Sequence, residues 1–372
     1  MENKGIIDYF EGIETEKEYN GYFCKVSEAV SIAVLGSLCG LKNVRQIHQW
    51  AKSDRVSGLL KEKFGIEHIP CYYWLLVLLK MIKPETLNRC MIKWAEQYIP
   101  EDRSGLTVAI DGKSICSTTV MKNISNPLHI ISAQISELGI TLASKTTDEK
   151  SNEIPAVQEL IRELDIAGCM VVADAMHCQQ ETAEEIIHGK GDYLLSVKGN
   201  QPTLEKEIAD YVNDNQLREG MQSKKTVEKN RDRMESRTAY ISSDIAWLFG
   251  REKWANLACI GAIKTECRKN GKETCEWHYY ISSRMLSPSE LLHHARMEWA
   301  VETMHWFLDV HFGEDYCRIE NKTIQQNFNM LRKFSLNLIK LYKQRSCSKR
   351  PLSNIMFDCL LNPSNLCSVL VP

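Results

Sequence analysis

Two apolar runs in this chain each end on an aspartate: LTVAIDGKS carries Asp111 and GCMVVADAM carries Asp174. Short runs of β-branched and apolar residues bounded by small ones read as buried strands. A carboxylate at the end of such a strand is costly to desolvate unless a cation shares it, so the pair points to a metal site. The third acid comes from ARMEWAVETMHWFLDVHFGED, where Glu298, Glu302 and Trp306 recur at i, i+4 on one helical face. Glu302 is the preferred third ligand and Glu298, one turn earlier, its rival. The three acids lie 63 and 128 residues apart, so only a tertiary fold gathers them. Each has a plainer reading: Asp111 before Gly112 as a turn residue, Asp174 as a helix N-cap, Glu302 as part of a solvated helix face.

A chain of 372 residues, 44% hydrophobic and 25% charged, is long enough for two or three domains around a sizeable core. The net charge of −2 argues against a uniformly basic coat, so contact with DNA has to come from local patches. None of the 14 cysteines forms a C-x-x-C pair, which reads as reduced, packing thiols and no structural zinc. The N-terminus is polar and acidic, and the most apolar run, Tyr72 to Ile82, is too short to span a bilayer. The expectation is a cytoplasmic protein with no membrane partner.

Residues 1–100 read as a helical front domain, with VSEAVSIAVLGSLCGLKNVRQIHQWAK interrupted near Gly40 and ETLNRCMIKWAEQYI following Pro84. From Leu106 the pattern changes to strands, with a hairpin turning at Glu137 to Gly139, then a helix, the strand ending at Asp174, a second helix and the strand DYLLSVKG. That order predicts an α/β fold with a mixed sheet and flanking helices, the first and fourth strands adjacent. Residues 205–275 read as a β-rich insertion before the last core helix, opening with a charged helical piece from Gln222 to Met234. The catalytic domain is expected over 101–345 and a C-terminal tail over 346–372. Trp299, His305 and Trp306 read as core residues of an amphipathic helix.

The ordered stretches DYFEGIE, VAIDGKSI, PLHIISAQ, DEKSNEIPAVQELI, VVADAMHCQQETAEEII, GDYLLSVKGNQPTL, HYYISS, HWFLDVHFGEDYCRI and NFNMLRKFSLNLIK resemble the DDE transposases of bacterial insertion sequences. The nearest resemblance is to the ISAs1 family with its H-repeat-associated proteins, within the IS4-like group, from about Asp8 to at least Tyr342. It implies an RNase H-like catalytic domain in which Asp111, Asp174 and Glu302 are both catalytic and metal-binding residues, holding two Mg²⁺ or Mn²⁺ ions. It also implies a double-stranded DNA partner, namely terminal inverted repeats and target DNA, an endonuclease and strand-transfer activity, and a homo-oligomer when ends are paired. In a bacterium such a protein is nucleoid-associated when bound to DNA. The chain departs from the family at Val301-Glu302-Thr303, where Ile-Glu-Asn is usual, at Glu298, where a His is usual, and over residues 66–75, which lack a Ser-His-Asp-containing stretch.

Lys198, Asn200 and Gln201, on a Gly-containing turn, are expected to approach the DNA backbone, as is Lys113, two residues past Asp111. Lys150, Ser151, Asn152 and Glu153 form a matched stretch at the edge of the site that also reads as a helix cap. Arg231, Arg233 and Arg237, with Lys224, Lys225 and Lys229, form a basic cluster in the insertion that reads either as a DNA contact or as a solvated face. Two other functions stay open: an inactive or domesticated DNA-binding descendant, and a metal-dependent nuclease without strand transfer.

Overall fold

The run before Asp111 forms a strand, β1 (Thr107–Ser114), buried from Thr107 to Ile110 because elements cover both of its faces. The structure is a computed structural model that describes residues 5–19, 23–115, 128–147, 153–230, 233–317 and 319–370. The other strands are β2 (His129–Ile135), β3 (Ile140–Thr147), β4 (Met170–Ala173), β5 (Asp192–Val197), β6 (Gln222–Asn230), β7 (Arg233–Ser242), β8 (Cys259–Lys269) and β9 (Lys272–Ser282). They join into one sheet ordered β3-β2-β1-β4-β5-β9-β8-β7-β6. β1 is antiparallel to β2 and parallel to β4, and β4 is parallel to β5, so the expected adjacency of the first and fourth strands is found.

Helices α1 (Val26–Leu38), α2 (Val44–Ala51), α3 (Asp54–Phe64), α4 (Tyr72–Met81) and α5 (Pro84–Ala95) precede the sheet. The break between α1 and α2 comes at Gly40, whose φ of +77° suits a residue without Cβ. Gly36 of α1 lies so close to α2 that a Cβ there would stand 2.8 Å from the Ile47 side chain. The crossovers between parallel strands are α6 (Glu153–Glu163) and α7 (Gln180–His188), followed by α8 (Pro202–Asn213) and α9 (Asn215–Glu219). Then come α10 (Pro288–Val310), α11 (Lys322–Arg345), α12 (Leu352–Leu361) and α13 (Asn365–Leu370). α10 starts with Pro288 and a capping box in which Ser287 and Glu290 each bind the other's backbone N–H.

α11 is buried almost continuously from Ile324 to Ile339. It packs against α1, α4 and α5 on one side and β3 on the other, so one hydrophobic core runs through the front helices and the sheet. Asn327 of α11 donates to the carbonyls of Leu79 and Ile82 at 2.9 and 3.1 Å, tying off the end of α4.

Two sequence expectations need correction. The described residues of the stretch from Gln222 to Met234 are not helical: 222–230 form β6 and 233–234 start β7, and the lysines of β6 lie along a sheet edge, where they discourage further pairing. Within the expected C-terminal tail, α12 and α13 bury Leu352, Ile355, Met356, Leu366 and Val369. Trp299 and Trp306 are 52% and 54% exposed, since α10 spends its inner stripe on Leu291, His294, Val301, Met304, His305 and Leu308. Of the three aromatic residues expected in the core, only His305 is there.

Candidate active site

Pairing between β1 and β4 ends at Ile110 opposite Ala173, so the next residue on each strand is Asp111 and Asp174 respectively. Two parallel strands thus present their acids at one point. β1 continues through Asp111, which pairs with Ser132 of β2, whereas the chain turns sharply after Asp174. Asp174 caps the single 3-10 turn Ala175–His177, its carboxylate accepting from the Ala175 N–H at 2.6 Å. The cap and the acid pair coexist, because the carboxylate remains 58% exposed.

α10 crosses β1 and β4 and carries Glu298 and Glu302 over this pair. Burial pushes the Asp111 carboxyl up to about 6, a backbone N–H from Gly112 opposes the rise, and Glu153, Asp174 and Glu302 add to it. Glu298 is raised further, to about 7, by burial first and then by Asp174, with Lys198 opposing and Asp111 and Glu302 adding. Asp111 and Glu298 therefore both feel Asp174 and Glu302. Glu302 stands on the exposed face of α10 and Glu298 on the partly buried side. The family resemblance ranks Glu298 behind Glu302, and the desolvation of Glu298 is a tertiary property that neither resemblance nor spacing carries.

His305 Nε2 lies 3.5 Å from Asp111 Oδ2. Burial, then the charges of Lys333, Lys113 and His129, push this imidazole down to about 3, so it is neutral and the contact is no ion pair. Behind β2, Lys333 of α11 donates to Ser132 Oγ at 2.7 Å and Ser144 Oγ at 2.8 Å. Nothing in its local sequence marked Lys333 as buried.

The expected phosphate-binding residues divide. Lys198 Nζ is 3.5 Å from Asp174 Oδ1 and more than half exposed, at the mouth of a groove lined by Arg237, His278, Tyr280, Glu298 and Trp299. Arg237 pairs with Glu235, and its guanidinium lies over the Trp299 ring at 5.1 Å. Arg233 also pairs with Glu235. Lys113, in contrast, points under α10 and is held by Asp309, by Glu314 at 3.4 Å and by Asp315 at 3.6 Å. Asn200 and Gln201 also have internal partners: Asn200 donates to the Ala175 carbonyl at 2.6 Å and Gln201 to that of Cys178 at 2.9 Å. They brace the Asp174 turn. Arg231, Lys150, Ser151 and Asn152 lie outside the described residues.

Among the described residues, the only trio of His, Cys, Asp or Glu with ligand atoms within 4.8 Å of one another is Glu137, His293 and His294. Glu137 already accepts from the Thr107 N–H at 2.8 Å, the Thr107 hydroxyl at 2.6 Å and His293 at 3.0 Å, while His294 Nδ1 meets the same hydroxyl at 2.8 Å. This network pins the first half of α10 to the start of β1. The acids at Asp111 and Asp174 fit a divalent ion better. They offer only hard oxygen donors, and the Asp111 and Glu298 carboxyls, raised first by burial and then by the neighbouring acids, stand where a cation would offset both effects.

Residues 128–338 match the family described as Transposase DDE domain, and residues 7–95 match one described as DDE_Tnp_1-associated. The chain is 29% identical over 348 residues to "Putative transposase YncI" of Escherichia coli O157:H7, covering 91% of this chain and 88% of that protein. It is 28% identical over 351 residues to "H repeat-associated putative transposase YhhI" of Escherichia coli K12, covering 91% of each. Among solved structures it is similar to a piggyBac transposase in a synaptic complex with hairpin DNA, at 11% identity and a TM-score of 0.46, over 95% of this chain and 75% of that one. Among the described residues, no helix is long and apolar enough to cross a membrane.

Proposed function

The chain belongs to the DDE transposase family, and from that premise we propose that it is the ISAs1-type transposase of a bacterial insertion sequence, cutting transposon ends and joining the freed 3′-hydroxyl to target DNA. The observation that carries this reading is the β1–β4 register, which sets Asp111 beside Asp174 beneath α10. The strand order β3-β2-β1-β4-β5, with its antiparallel and parallel pairs, supports an RNase H-like catalytic core. The catalytic domain is proposed to span 101–345, and the helices of 1–100 to serve it as an accessory domain. Asp111, Asp174 and Glu302 would hold two Mg²⁺ or Mn²⁺ ions. When bound, such ions supply a more acidic water and stabilise charge on the attacking and leaving oxygens of an in-line displacement.

The chain's own groups do the rest. Asp111 is fixed by its pairing with Ser132, Asp174 follows the last paired residue of β4, Asn200 and Gln201 hold the turn that aims Asp174, and the neutral His305 walls the Asp111 side without adding charge. Lys198, exposed at the groove mouth, is the cation placed to receive a DNA phosphate, with Arg237, paired to Glu235, lining the groove behind it. In the first displacement a water oxygen bonds to phosphorus and the 3′-oxygen leaves with a proton. In the second that 3′-oxygen bonds to a target phosphorus, and the target's own 3′-oxygen leaves. Bonds made and broken balance, so no covalent protein intermediate is needed.

The test is cleavage and joining of labelled terminal-repeat DNA by Asp111→Asn, Asp174→Asn and Glu302→Gln proteins. Each should bind ends like the unaltered chain and cut at least about a thousandfold more slowly, a loss of about 4 kcal/mol in transition-state stabilisation. Retained cleavage by Asp111→Asn would reject the site. Cleavage without joining of a pre-cut end would instead favour a nuclease.

A further inference from the structure

On the face of β1 opposite Asp111 lies a buried His-Glu-His unit that plays no part in the chemistry described above. Glu153, the first residue of α6, places Oε1 3.1 Å from His177 Nε2, and its Oε2 lies 2.7 Å from His129 Nε2 in a contact bent away from hydrogen-bond geometry. His129 Nδ1 in turn meets the Ser114 hydroxyl at 3.0 Å. All three side chains are nearly excluded from solvent, with Glu153 and His129 at 3% exposure and His177 at 1%. A buried carboxylate with this little access to water persists only because the two imidazoles hold it, and they keep it down near 2 against the effect of burial.

The three members come from three different places in the chain. His129 starts β2, Glu153 starts α6, and His177 closes the turn that Asp174 caps. They fall one each in PLHIISAQ, DEKSNEIPAVQELI and VVADAMHCQQETAEEII, matched stretches to which the acids alone give no reason to belong together. Their meeting point is next to Asp111. A Cβ on Gly112 would lie 2.4 Å from Glu153 Oε1 and 2.6 Å from His129 Nε2, so the unit occupies the space a side chain would need. Gly112 sits inside a strand, where the missing Cβ lets the unit approach the backbone.

We infer that Glu153 is a positioning residue: by holding His129 behind β1 and His177 beyond Asp174, it sets the separation of Asp111 and Asp174 and so the affinity of that pair for a divalent cation. Partners outside the ligand shell commonly change metal affinity 10–100-fold when removed. Glu153 reaches Asp174 through His177, whose N–H binds the Asp174 carbonyl, and Asp111 through the adjoining Gly112 backbone, so the lower end, about tenfold, is expected. The inference rests on the proposed ligand role of Asp111 and Asp174.

The test is titration of the full-length protein with Mn²⁺, followed by calorimetry, alongside thermal melting in metal-free buffer. Asp111→Asn should abolish strong Mn²⁺ binding. Glu153→Gln and His177→Gln should stay folded, bind Mn²⁺ about tenfold more weakly, and regain cleavage when Mn²⁺ is raised by the same factor. A merely structural role would lower the melting temperature and activity without that recovery. If a folded Glu153→Gln protein, or His177→Gln where the former does not fold, binds Mn²⁺ like the unaltered chain, the clamp is refuted. If Asp111→Asn binds normally, the ligand assignment fails instead.

Discussion

Glu298 offers a quantitative test of the crowded acids that does not depend on DNA. Its carboxyl moves from an ordinary 4.5 to about 7, through burial first and then Asp174. At 1.36 kcal/mol per pH unit that displacement is worth about 3 kcal/mol. Screening by solvent in the adjoining groove reduces the observable part to about 1–3 kcal/mol. The folded chain binds this proton more tightly than the unfolded one, so stability is highest below pH 4.5 for this group and falls as pH rises to about 7. Glu298→Gln removes the ionisation while keeping the shape. In metal-free buffer the variant should match the unaltered chain near pH 4.5 and exceed it by about 1–3 kcal/mol at pH 8, read from denaturant midpoints. Millimolar Mg²⁺ should shrink the difference at pH 8 by neutralising the neighbours of Glu298. An equal gain at both pH values, or a loss at pH 8, would refute the idea that ionising Glu298, buried here beside other acids, destabilises the metal-free protein.

Gly36→Val would drive a branched side chain into Ile47 and should cost about 1–3 kcal/mol, with a lowered melting temperature and unchanged end binding in the protein that remains folded. Burial pushes the Lys333 ammonium from 10.5 down to about 7, so the unfolded chain binds more protons between these values and stability should climb as pH rises from 7 to 10. Lys333→Met should flatten that climb, and an unchanged slope in denaturant midpoints would exclude Lys333 as its source. Lys198→Ala should weaken end binding while lowering the steepness of its salt dependence by about one phosphate contact, measurable as a change of about 0.9 in the log–log slope.

The parts of the fold set by local pattern were readable from sequence. The apolar runs before Asp111 and Asp174 became parallel neighbours, and the i, i+4 recurrence of Glu298, Glu302 and Trp306 lies on a helix as expected. What sequence missed depends on neighbours far along the chain. β6 carries a helix-like density of charge but is recruited as an edge by pairing with β7. Lys113 and Lys198 look alike in sequence, yet one faces Asp309, Glu314 and Asp315 under α10 while the other stands at the groove mouth. Asn200 and Gln201 looked free to meet phosphate, and their amides are committed to the carbonyls of Ala175 and Cys178. Likewise the matched stretch at Glu153 read as a helix cap, because its two histidine partners are contributed by other segments.

The depth at which α11 sits has a consequence for biosynthesis. A ribosome delivers the front helices and all nine strands before this helix emerges, yet both groups need its apolar surface to close over their own. Until roughly residue 345 has been made, the nascent polypeptide holds a sheet with an open flank and no settled interior, a state prone to sticking to its neighbours. Messages cut short upstream should therefore yield insoluble fragments instead of small working nucleases, and competence to act on DNA arrives only near the end of translation.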